Sequence, residues 1–351
     1  MAFSKNVLRA ICILIMGLAS IKSQTSYTGT EIHASASTAS LTSSVSTTGT
    51  PSNDPLKGFK IVCLFNNMKY YKEGFTPAMI DPTLCTHVNY EFAILDDMTY
   101  ELMTGEPDLD VHENFYQEAV DLKKKNPNLK VMLSLGGWGD STKKYSDLVA
   151  SSSRRKNFIK KAVEFIKAHG FDGIDVSWQY PNCWQGAIGV HPDDKENFAK
   201  FLQELRKACD QADLTLSVSV GAIKREVEAA YDIPAISKAV HHINLMTYDM
   251  HGPWEGKTGH HAQFDKTPSD ADPYANVKSA VQIWISGGVD KKKLILGIPL
   301  YGNTFTLVDP KKHGIRSPAK GPGKPGPRSK QGGFIAYNEV DFLLDFALSL
   351  F

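Results

Sequence analysis

Residues Phe171 to Pro181 have the sequence Phe-Asp-Gly-Ile-Asp-Val-Ser-Trp-Gln-Tyr-Pro, in which polar and apolar side chains alternate. Because successive side chains of a β-strand point to opposite faces, Asp175, Ser177 and Gln179 should share one face. Three polar groups on a buried face each need a hydrogen-bond partner, whereas a face that lines a site needs only water or a ligand. We therefore expect a binding site at the end of this strand, and a polar network within the core is the alternative.

Outward from this stretch, the chain beyond Asp54 alternates short β-branched runs with amphipathic helical patterns, which is typical of a parallel sheet with crossover helices. Helices are predicted at Arg154 to His169 and at Asp194 to Gln211, where apolar residues recur at helical spacing. These apolar stripes indicate core packing, and no cofactor-binding motif is found. The predicted strands are Lys60 to Asn66, Thr86 to Phe92, Lys130 to Leu135, Gly173 to Trp178, Thr215 to Val220, His242 to Thr247 and Lys293 to Pro299.

The opening stretch resembles the signature of glycoside hydrolase family 18, the chitinase family, which has the pattern Asp-x-x-Asp-x-Asp-x-Glu. Asp172 and Asp175 match the first two acids. Ser177 stands at the third Asp and Gln179 at the terminal Glu. In that family the Glu protonates the glycosidic oxygen while the substrate's own N-acetyl carbonyl attacks the anomeric carbon.

The two replacements argue against the family's reaction. A Gln amide is not a general acid near neutral pH, and the loss of general acid catalysis costs about 10²–10⁴-fold in rate. The family's central Asp orients the N-acetyl group and offsets charge on the cyclic intermediate, and the Ser177 hydroxyl supplies little of that stabilisation. The resemblance therefore implies a chitinase fold without intact catalytic residues at Asp172, Asp175, Ser177 and Gln179.

Three further motifs carry the same resemblance. Ser134 to Trp138 matches the family's third strand, Met246 to Asp249 its sixth, and Leu296 to Gly302 its seventh. The resemblance implies a TIM-type (β/α) barrel, whose sites lie at the carboxyl-end rim of the strands. For Trp138, Trp178, Tyr248 and Trp254, packing in the core or at the rim is the alternative. The implied sugar-binding residues are Tyr90, Trp138, Trp178, Met246, Tyr248, Asp249 and Tyr301.

Four positions depart from the family pattern around this site. Phe65 stands where a Tyr is usual, and Met68 where a Trp is usual. Glu91 replaces a small residue on the second strand, and Asn303 replaces the common Arg after the seventh. Each change removes a sugar contact or alters the cleft.

The end of the chain departs further from the family, which inserts a small α+β domain after the seventh strand and then returns to an eighth. Residues Gly332 to Glu339 resemble the early hairpin of that insertion, so the insertion is expected to start at about 304. No eighth strand can be identified before Phe351, which predicts an open sheet with two unpaired edges. We expect an incomplete family domain over 56–351, arising from a fragment, a splice form or a gene-model error. The apolar tail Phe342 to Phe351 is too short to span a membrane.

The first residues predict secretion. Met1 to about Ser23 carries Lys5 and Arg9 ahead of an apolar run, which is typical of a signal peptide. Residues 24–53 are rich in Ser and Thr, with few large apolar side chains, and we expect a disordered leader. O-glycosylation of this leader and a bare flexible segment are both open. The protein is therefore expected to be secreted and extracellular.

The cysteines fit an extracellular protein. Cys12 leaves with the signal peptide, and Cys63, Cys85, Cys183 and Cys209 allow three pairings. The resemblance implies the disulfide Cys63–Cys85. Cys183 follows the fourth predicted strand, and Cys209 lies near the far end of the next helix, roughly 24 Å away. This is beyond the disulfide reach of about 7 Å between Cα atoms. Cys209 continues an apolar stripe and is expected to be a buried thiol.

The net charge of the protein argues against two classes of binding partner. A net charge of +1 gives no electrostatic case for nucleic acid or an anionic membrane. Lys311 to Lys330 is basic, which indicates a solvated loop, with an anionic partner as the alternative. The pairs His241-His242 and His260-His261 lack the spacing of metal ligands, and no metal site is indicated.

Two functional hypotheses follow. The first is a secreted chitinase-like protein that binds chitin or chito-oligosaccharides, or signals through an extracellular receptor, without hydrolysis, as in the imaginal disc growth factor branch of the family. The second is a weak N-acetylglucosaminidase that acts through another group. Asp175, Tyr248 and Asp249 are the nearby candidates for that group.

Overall fold

A computed structural model describes residues 58–68, 74–182, 190–268 and 270–340. The predicted signal peptide and leader, the apolar tail after 340 and Cys183 lie outside these ranges. The chain divides into two units, Met1–Phe59 and Lys60–Phe351, and every element below belongs to the second.

The strands of the described ranges are numbered β1 to β12. They are β1 (Val62–Asn66), β2 (His87–Leu95), β3 (Leu102–Thr104), β4 (Lys130–Gly136), β5 (Gly173–Ser177), β6 (Thr215–Val220), β7 (His242–Leu245), β8 (Leu294–Leu296), β9 (Tyr301–Asn303), β10 (Phe305–Leu307), β11 (Ala319–Pro322) and β12 (Phe334–Ala336).

The α-helices between them are numbered α1 to α7. They are α1 (Phe115–Asp121), α2 (Thr142–Ala150), α3 (Ser152–Ala168), α4 (Asp194–Ala212), α5 (Lys224–Ala230), α6 (Ile233–Ala239) and α7 (Val277–Ser286). Short 3₁₀ turns lie at Pro77–Met79, Leu122–Lys124, Pro253–Glu255 and Lys291–Lys293, and a π-turn at Asp108–His112.

The central sheet has its parallel strands in the order β1-β2-β4-β5-β6-β7-β8, with β3 antiparallel beside β2. Parallel strands in chain order with helical crossovers are the topology of a TIM-type barrel, so the predicted fold class is confirmed. The register aligns Glu91 with Ser134, Ser134 with Asp175, and Asp175 with Ser217. This row crosses four neighbouring strands and defines the level of the barrel on which the site is built.

The predicted strands are all present, with differences at their ends. The sixth and seventh are shorter than expected, because β7 ends at Leu245 and β8 covers only Leu294–Leu296. Sequence analysis missed β3, a three-residue antiparallel strand beside β2. A strand this short carries no alternating pattern long enough to recognise.

The sheet is open between β1 and β8. Within the described ranges, no strand pairs with the outer edge of either one. Apolar side chains at these edges are exposed, with Leu64 at 49% and Leu296 at 45%. In a closed barrel both edges would pair, and these side chains would be covered.

The core lies between the sheet and its helices. On α3, Phe158, Ala162 and Ile166 are buried at the predicted helical spacing. The disulfide Cys63–Cys85 is present with a Cα–Cα distance of 6.0 Å, so the implied pairing is confirmed. Cys209 on α4 is a buried free thiol. No helix in the described part of the chain is both long and apolar enough to span a membrane.

Beyond β8 the chain forms two small antiparallel sheets, in which β9 pairs with β12 and β10 with β11. The predicted hairpin is therefore β12 returning onto Tyr301–Asn303. Glu339 anchors this segment, because its carboxylate accepts hydrogen bonds from the backbone N–H groups of Arg328, Ser329 and Ala336. The basic segment 311–330 is not all loop, since Ala319–Pro322 forms β11.

Candidate functional site

The carboxyl end of β5 carries a neutral pair of side chains. Ser177 ends the strand and is buried, and Gln179 follows it and is partly exposed. The Gln179 Nε2 donates to Ser177 Oγ at 3.2 Å and to the Met246 sulfur at 3.7 Å. Neither a hydroxyl nor an amide releases a proton near neutral pH. We call the surface formed by Gln179, Ser177, Met246 and Tyr248 the cleft.

Asp175 lies one step deeper on the same face and is fully buried. Four side chains donate to its carboxylate. They are Ser217 at 2.6 Å, Ser219 at 2.8 Å, Asn244 at 3.1 Å and Ser134 at 3.3 Å. Burial raises the Asp175 pKa, and these four hydrogen bonds oppose the rise because they favour the charged form. The strand thus has both of the features that the sequence suggested as alternatives. Asp175 belongs to a buried polar network, and Gln179 lies on a partly exposed face.

Glu91 on β2 brings a second carboxyl to this level, and sequence analysis did not assign it a role. Its side chain is partly exposed, unlike that of Asp175. Burial and the nearby charge of Asp175 raise the pKa of Glu91 to about 8. At neutral pH most Glu91 carboxyls are therefore protonated. The sequence feature that could have pointed to Glu91 was an acid at a position where the family has a small residue.

Tyr248 follows β7 and reaches the same region. Burial and the charges of Glu91, Asp249 and Asp175 raise the Tyr248 pKa well above its ordinary value, so the phenol stays neutral. Its ring lies edge-on to Tyr301, with 6.2 Å between centroids. Tyr248 thus presents a neutral hydroxyl and an aromatic face beside Glu91.

Asp249 points to a different set of partners. It accepts a hydrogen bond from the Tyr301 hydroxyl and lies 3.3 Å from His261 Nδ1. Burial raises its pKa, but the hydrogen bonds from His261 and Tyr301 outweigh burial and hold the Asp249 pKa below its ordinary value. Asp249 is therefore an ionised acceptor at neutral pH.

Two glycines permit this geometry. A Cβ at Gly297 would lie 2.6 Å from the Leu245 carbonyl oxygen and 2.8 Å from the Tyr248 ring. A Cβ at Gly136 would lie 2.5 Å from the Ser177 carbonyl oxygen, and Gly136 has a φ of +113°. Only glycine allows such close approach, so these residues fix where Tyr248 and Ser177 sit.

Trp138 follows the end of β4, and 56% of its surface is exposed. It stands at the carboxyl-end rim, where an exposed aromatic face can stack on a sugar ring. Met246 and Tyr301 are partly exposed at the same end of the sheet. Five of the predicted sugar contacts therefore lie on the carboxyl-end side of the sheet: Trp138, Met246, Tyr248, Asp249 and Tyr301.

Trp178 was predicted to bind sugar, and the structure places it in the core instead. Only 2% of it is exposed. Its ring stacks on Tyr145, with centroids 5.8 Å apart, and its Nε1 donates to Thr142. Trp178 directly follows Ser177, so strand alternation directs it to the opposite face, toward the helices.

The prediction for Tyr90 was wrong for the same reason. Tyr90 is fully buried and its hydroxyl donates to Asp110. Its ring packs against Phe65 and Tyr116 on the helix side of the sheet. Glu91, the next residue along the strand, is the one that faces the barrel interior.

Asp172 lies at the opposite end of β5 from the cleft. Its carboxylate accepts from the Val131 N–H at 2.8 Å and lies 3.1 Å from Lys123 Nζ. These contacts join the start of β5 to β4 and to the preceding helical turn. Asp172 therefore helps to hold the start of β5 in place and does not line the cleft.

The histidines in the described part of the chain were compared with the ligand sets of metal sites. Throughout the described ranges, no cluster of three or more His, Cys, Asp or Glu side chains could hold a metal ion. His87 and His242 pack edge-on inside the barrel, with centroids 5.0 Å apart. Burial lowers the pKa of His87 to about 4 and that of His242 to about 3, so both rings are neutral.

Comparison with known proteins identifies the family. Residues 60–348 match the family described as glycosyl hydrolases family 18. The chain belongs to this family. "Probable chitinase 10" of Drosophila melanogaster is 41% identical over 287 residues, which cover 80% of this chain and 12% of that protein. The family 18 chain spans less than two thirds of the length of the curated relatives that it matches first.

Solved structures agree with the family 18 fold. The Ostrinia furnacalis Group II chitinase catalytic domain 2 is 40% identical, with a TM-score of 0.78 over 81% of this chain and 75% of that one. Human YKL-39, described as a pseudo-chitinase with retained chitooligosaccharide binding properties, is 34% identical, with a TM-score of 0.73 over 82% of this chain and 78% of that one. The family 18 fold is thus shared by proteins named as chitinases and by one named as a pseudo-chitinase.

Proposed function

We propose that this family 18 protein is secreted and binds chito-oligosaccharides without hydrolysing them. The observation that carries the proposal is the hydrogen bond between Gln179 and Ser177 at the carboxyl end of β5. Two neutral groups that satisfy each other stand where the family has a proton donor and a carboxylate. The other side chains at this end of the sheet can still bind a sugar without these two acids.

The loss of hydrolysis follows from the chemistry of these groups. The amide of Gln179 has no proton to transfer to a glycosidic oxygen at neutral pH, which costs about 10²–10⁴-fold in rate. Loss of charge stabilisation near a developing cation adds about 10²-fold or more. The two losses together take turnover below a practical rate.

The three candidates for the missing acid, Asp175, Tyr248 and Asp249, do not supply it. Asp175 is fully buried and receives four hydrogen bonds, so it does not reach a ligand in the cleft. Asp249 is held in its ionised form, and the Tyr248 pKa lies far above neutral. These properties weigh against the weak N-acetylglucosaminidase that uses Asp175, Tyr248 or Asp249.

Binding is supported by the part of the cleft that remains. Trp138 offers an exposed aromatic face, and Tyr248 and Asp249 offer a neutral hydroxyl and a charged acceptor. An aromatic platform with a few directed polar groups is the usual composition of a sugar-binding site. The likeness to human YKL-39, whose description includes retained chitooligosaccharide binding, also supports it. Signalling through an extracellular receptor stays a prediction.

Calorimetric titration with chitotetraose and a fluorogenic chito-oligosaccharide assay test the two halves of the proposal. We expect saturable binding and no turnover. Trp138→Ala should weaken binding by about 1–3 kcal/mol, by analogy with base stacking on aromatic side chains. Phe264→Ala is the matched control, because Phe264 is also an exposed aromatic residue.

The double variant Gln179→Glu with Ser177→Asp restores the two acids and should show more turnover than the unaltered protein. Clear turnover by the unaltered protein would overturn the pseudoenzyme half. No binding of chitotetraose at any pH would overturn the ligand half. Secretion is tested by expressing the full chain in insect cells and sequencing the N-terminus of the protein in the medium, where cleavage near Ser23 is expected.

A further inference from the structure

Glu91 is an acid in an unusual place. It lies on the interior face of β2, in the cross-strand row that continues through Ser134 to Asp175. Ser134 is small and donates to Asp175 at 3.3 Å, so no bulky side chain separates the two acids. Asp175 is fully buried, whereas Glu91 is partly exposed. Glu91 is thus the one of the two carboxyls that a ligand can reach.

The two carboxyls divide the charge between them. Asp175 receives four hydrogen bonds, which hold the negative charge on its oxygens. A second charge on Glu91 would lie close to the first in a poorly solvated space, and two such carboxylates do not both ionise readily. The proton therefore stays on Glu91, whose pKa is raised to about 8.

The side chains around Glu91 do not replace it as the titrating proton donor. Across the row on β4 and β5 lie Ser134 and Asp175. In the segment after β7, burial and the charge of Glu91 raise the pKa of Tyr248, so its phenol stays neutral, while Asp249 is directed to His261 and Tyr301. On β1, the residue aligned with Glu91 is Asn66, which carries no charge.

Deeper on β2 and β7, the rings of His87 and His242 are neutral because burial lowers the pKa of both. Among these neighbours, Glu91 is the group whose charge changes between pH 6 and pH 9. The interior face of β2 at Glu91 therefore holds a neutral O–H donor at pH 6 and a carboxylate at pH 9.

We propose that Glu91 recognises the ligand, because its protonated carboxyl donates a hydrogen bond to an acetamido oxygen of the bound chito-oligosaccharide. This inference rests on the proposed function. The acetamido carbonyl is the strongest neutral acceptor on such a sugar, and a carboxylic acid is a stronger donor than the serine and tyrosine hydroxyls around it. Glu91 would thus select N-acetylated sugars, since a deacetylated unit carries an ammonium group and no carbonyl.

Binding should then depend on pH in a direction fixed by this donor. When only the protonated form binds, the apparent Kd rises as the protonated fraction falls. One pH unit above the pKa, about a tenth of the carboxyls are protonated. We expect chitotetraose to bind about tenfold more weakly at pH 9 than at pH 6.

Titration calorimetry with chitotetraose at pH 6 and pH 9 tests the inference. Glu91→Gln keeps a neutral N–H donor at both pH values, so its affinity should be similar at both. Glu91→Ala has no donor and should bind about tenfold more weakly than the unaltered protein at pH 6, again without the pH dependence. Glu113→Gln is the matched control, because Glu113 is exposed and its loss should leave the pH dependence intact.

The outcomes separate the inference from the proposed function. Equal affinity of the unaltered protein at pH 6 and pH 9, or the same pH dependence in Glu91→Gln, overturns the inference while chito-oligosaccharide binding stands. No binding by the unaltered protein at either pH overturns both. A ligand-free ¹³C NMR titration of glutamate carboxyls should show one resonance with a midpoint near 8 that Glu91→Gln removes, and its absence also overturns the inference.

Discussion

Replacing Glu91 with Gln should change how the stability of the protein depends on pH. Glutamine has nearly the same shape as glutamic acid, keeps a neutral donor and does not ionise. The folded-state pKa of Glu91, about 8, lies above the ordinary value of 4.5. Between these values the folded protein binds a proton that the unfolded chain releases. The contribution of this proton to stability is therefore full below pH 4.5 and is lost as the pH rises through about 8.

The size of the effect follows from the pKa difference. Each unit of difference corresponds to about 1.4 kcal/mol, so a rise from 4.5 to about 8 sets an upper bound of about 5 kcal/mol. Between pH 5.5 and pH 8.5, which covers most of this interval, the same two pKa values give a loss of about 3 kcal/mol. The slope cannot exceed about 1.4 kcal/mol per pH unit, because one proton is involved.

Urea unfolding at pH 5.5, 7.0 and 8.5 measures this effect in the two proteins. Between the extreme pH values, the unaltered protein should lose about 3 kcal/mol more stability than Glu91→Gln. The comparison cancels other titrating groups, such as Asp194, whose pKa burial raises to about 6. Parallel stability curves would refute the raised pKa of Glu91, and a steeper loss in the variant would reverse the sign of the shift.

Three further predictions concern packing. Arg155 is 2% exposed and pairs through two nitrogens with Glu204 at 2.9 and 3.0 Å, so Arg155→Ala should lower the free energy of unfolding by about 2–3 kcal/mol. Arg154→Ala, at an exposed position on the same helix, should cost about 1 kcal/mol or less. Burial raises the pKa of the Cys209 thiol to about 12, so Cys209 should react with a disulfide reagent only after urea unfolding; rapid reaction in the folded protein would contradict its burial. Gly297→Ala places a methyl group 2.6 Å from a backbone carbonyl oxygen, and should cost about 1–3 kcal/mol and weaken ligand binding, both measured against Gly139→Ala, which meets no atom within 4 Å.

The sequence predicted most of the barrel because its strands are continuous β-branched runs separated by amphipathic helices. The same alternation could have placed Trp178 and Tyr90 correctly. Each is adjacent in the chain to a residue of the interior face, and one step along a strand turns a side chain to the other side. Family motifs suggested sugar contacts at both, and the local geometry of the strand decides otherwise.

The proton on Glu91 could not be predicted from the chain. It depends on the register that aligns β2, β4 and β5, and on the four donors that saturate Asp175 from three other strands. No local sequence pattern shows which residues of separate strands will lie next to one another in the sheet. The sequence shows only that an acid replaces a small residue at that position.

The replacements at Ser177 and Glu91 are physically coupled. Ser177 follows Asp175 on the same face of β5, and Glu91 lies two strands away in the same cross-strand row as Asp175. A carboxylate at 177 would be a third acid in one poorly solvated region, and like charges at such separation raise one another's pKa. The protein as it stands avoids this because residues 177 and 179 are neutral and Glu91 keeps its proton. Restoring the acids on β5 alone would therefore protonate one of the new groups, and hydrolysis should recover more fully when Glu91→Ala accompanies them.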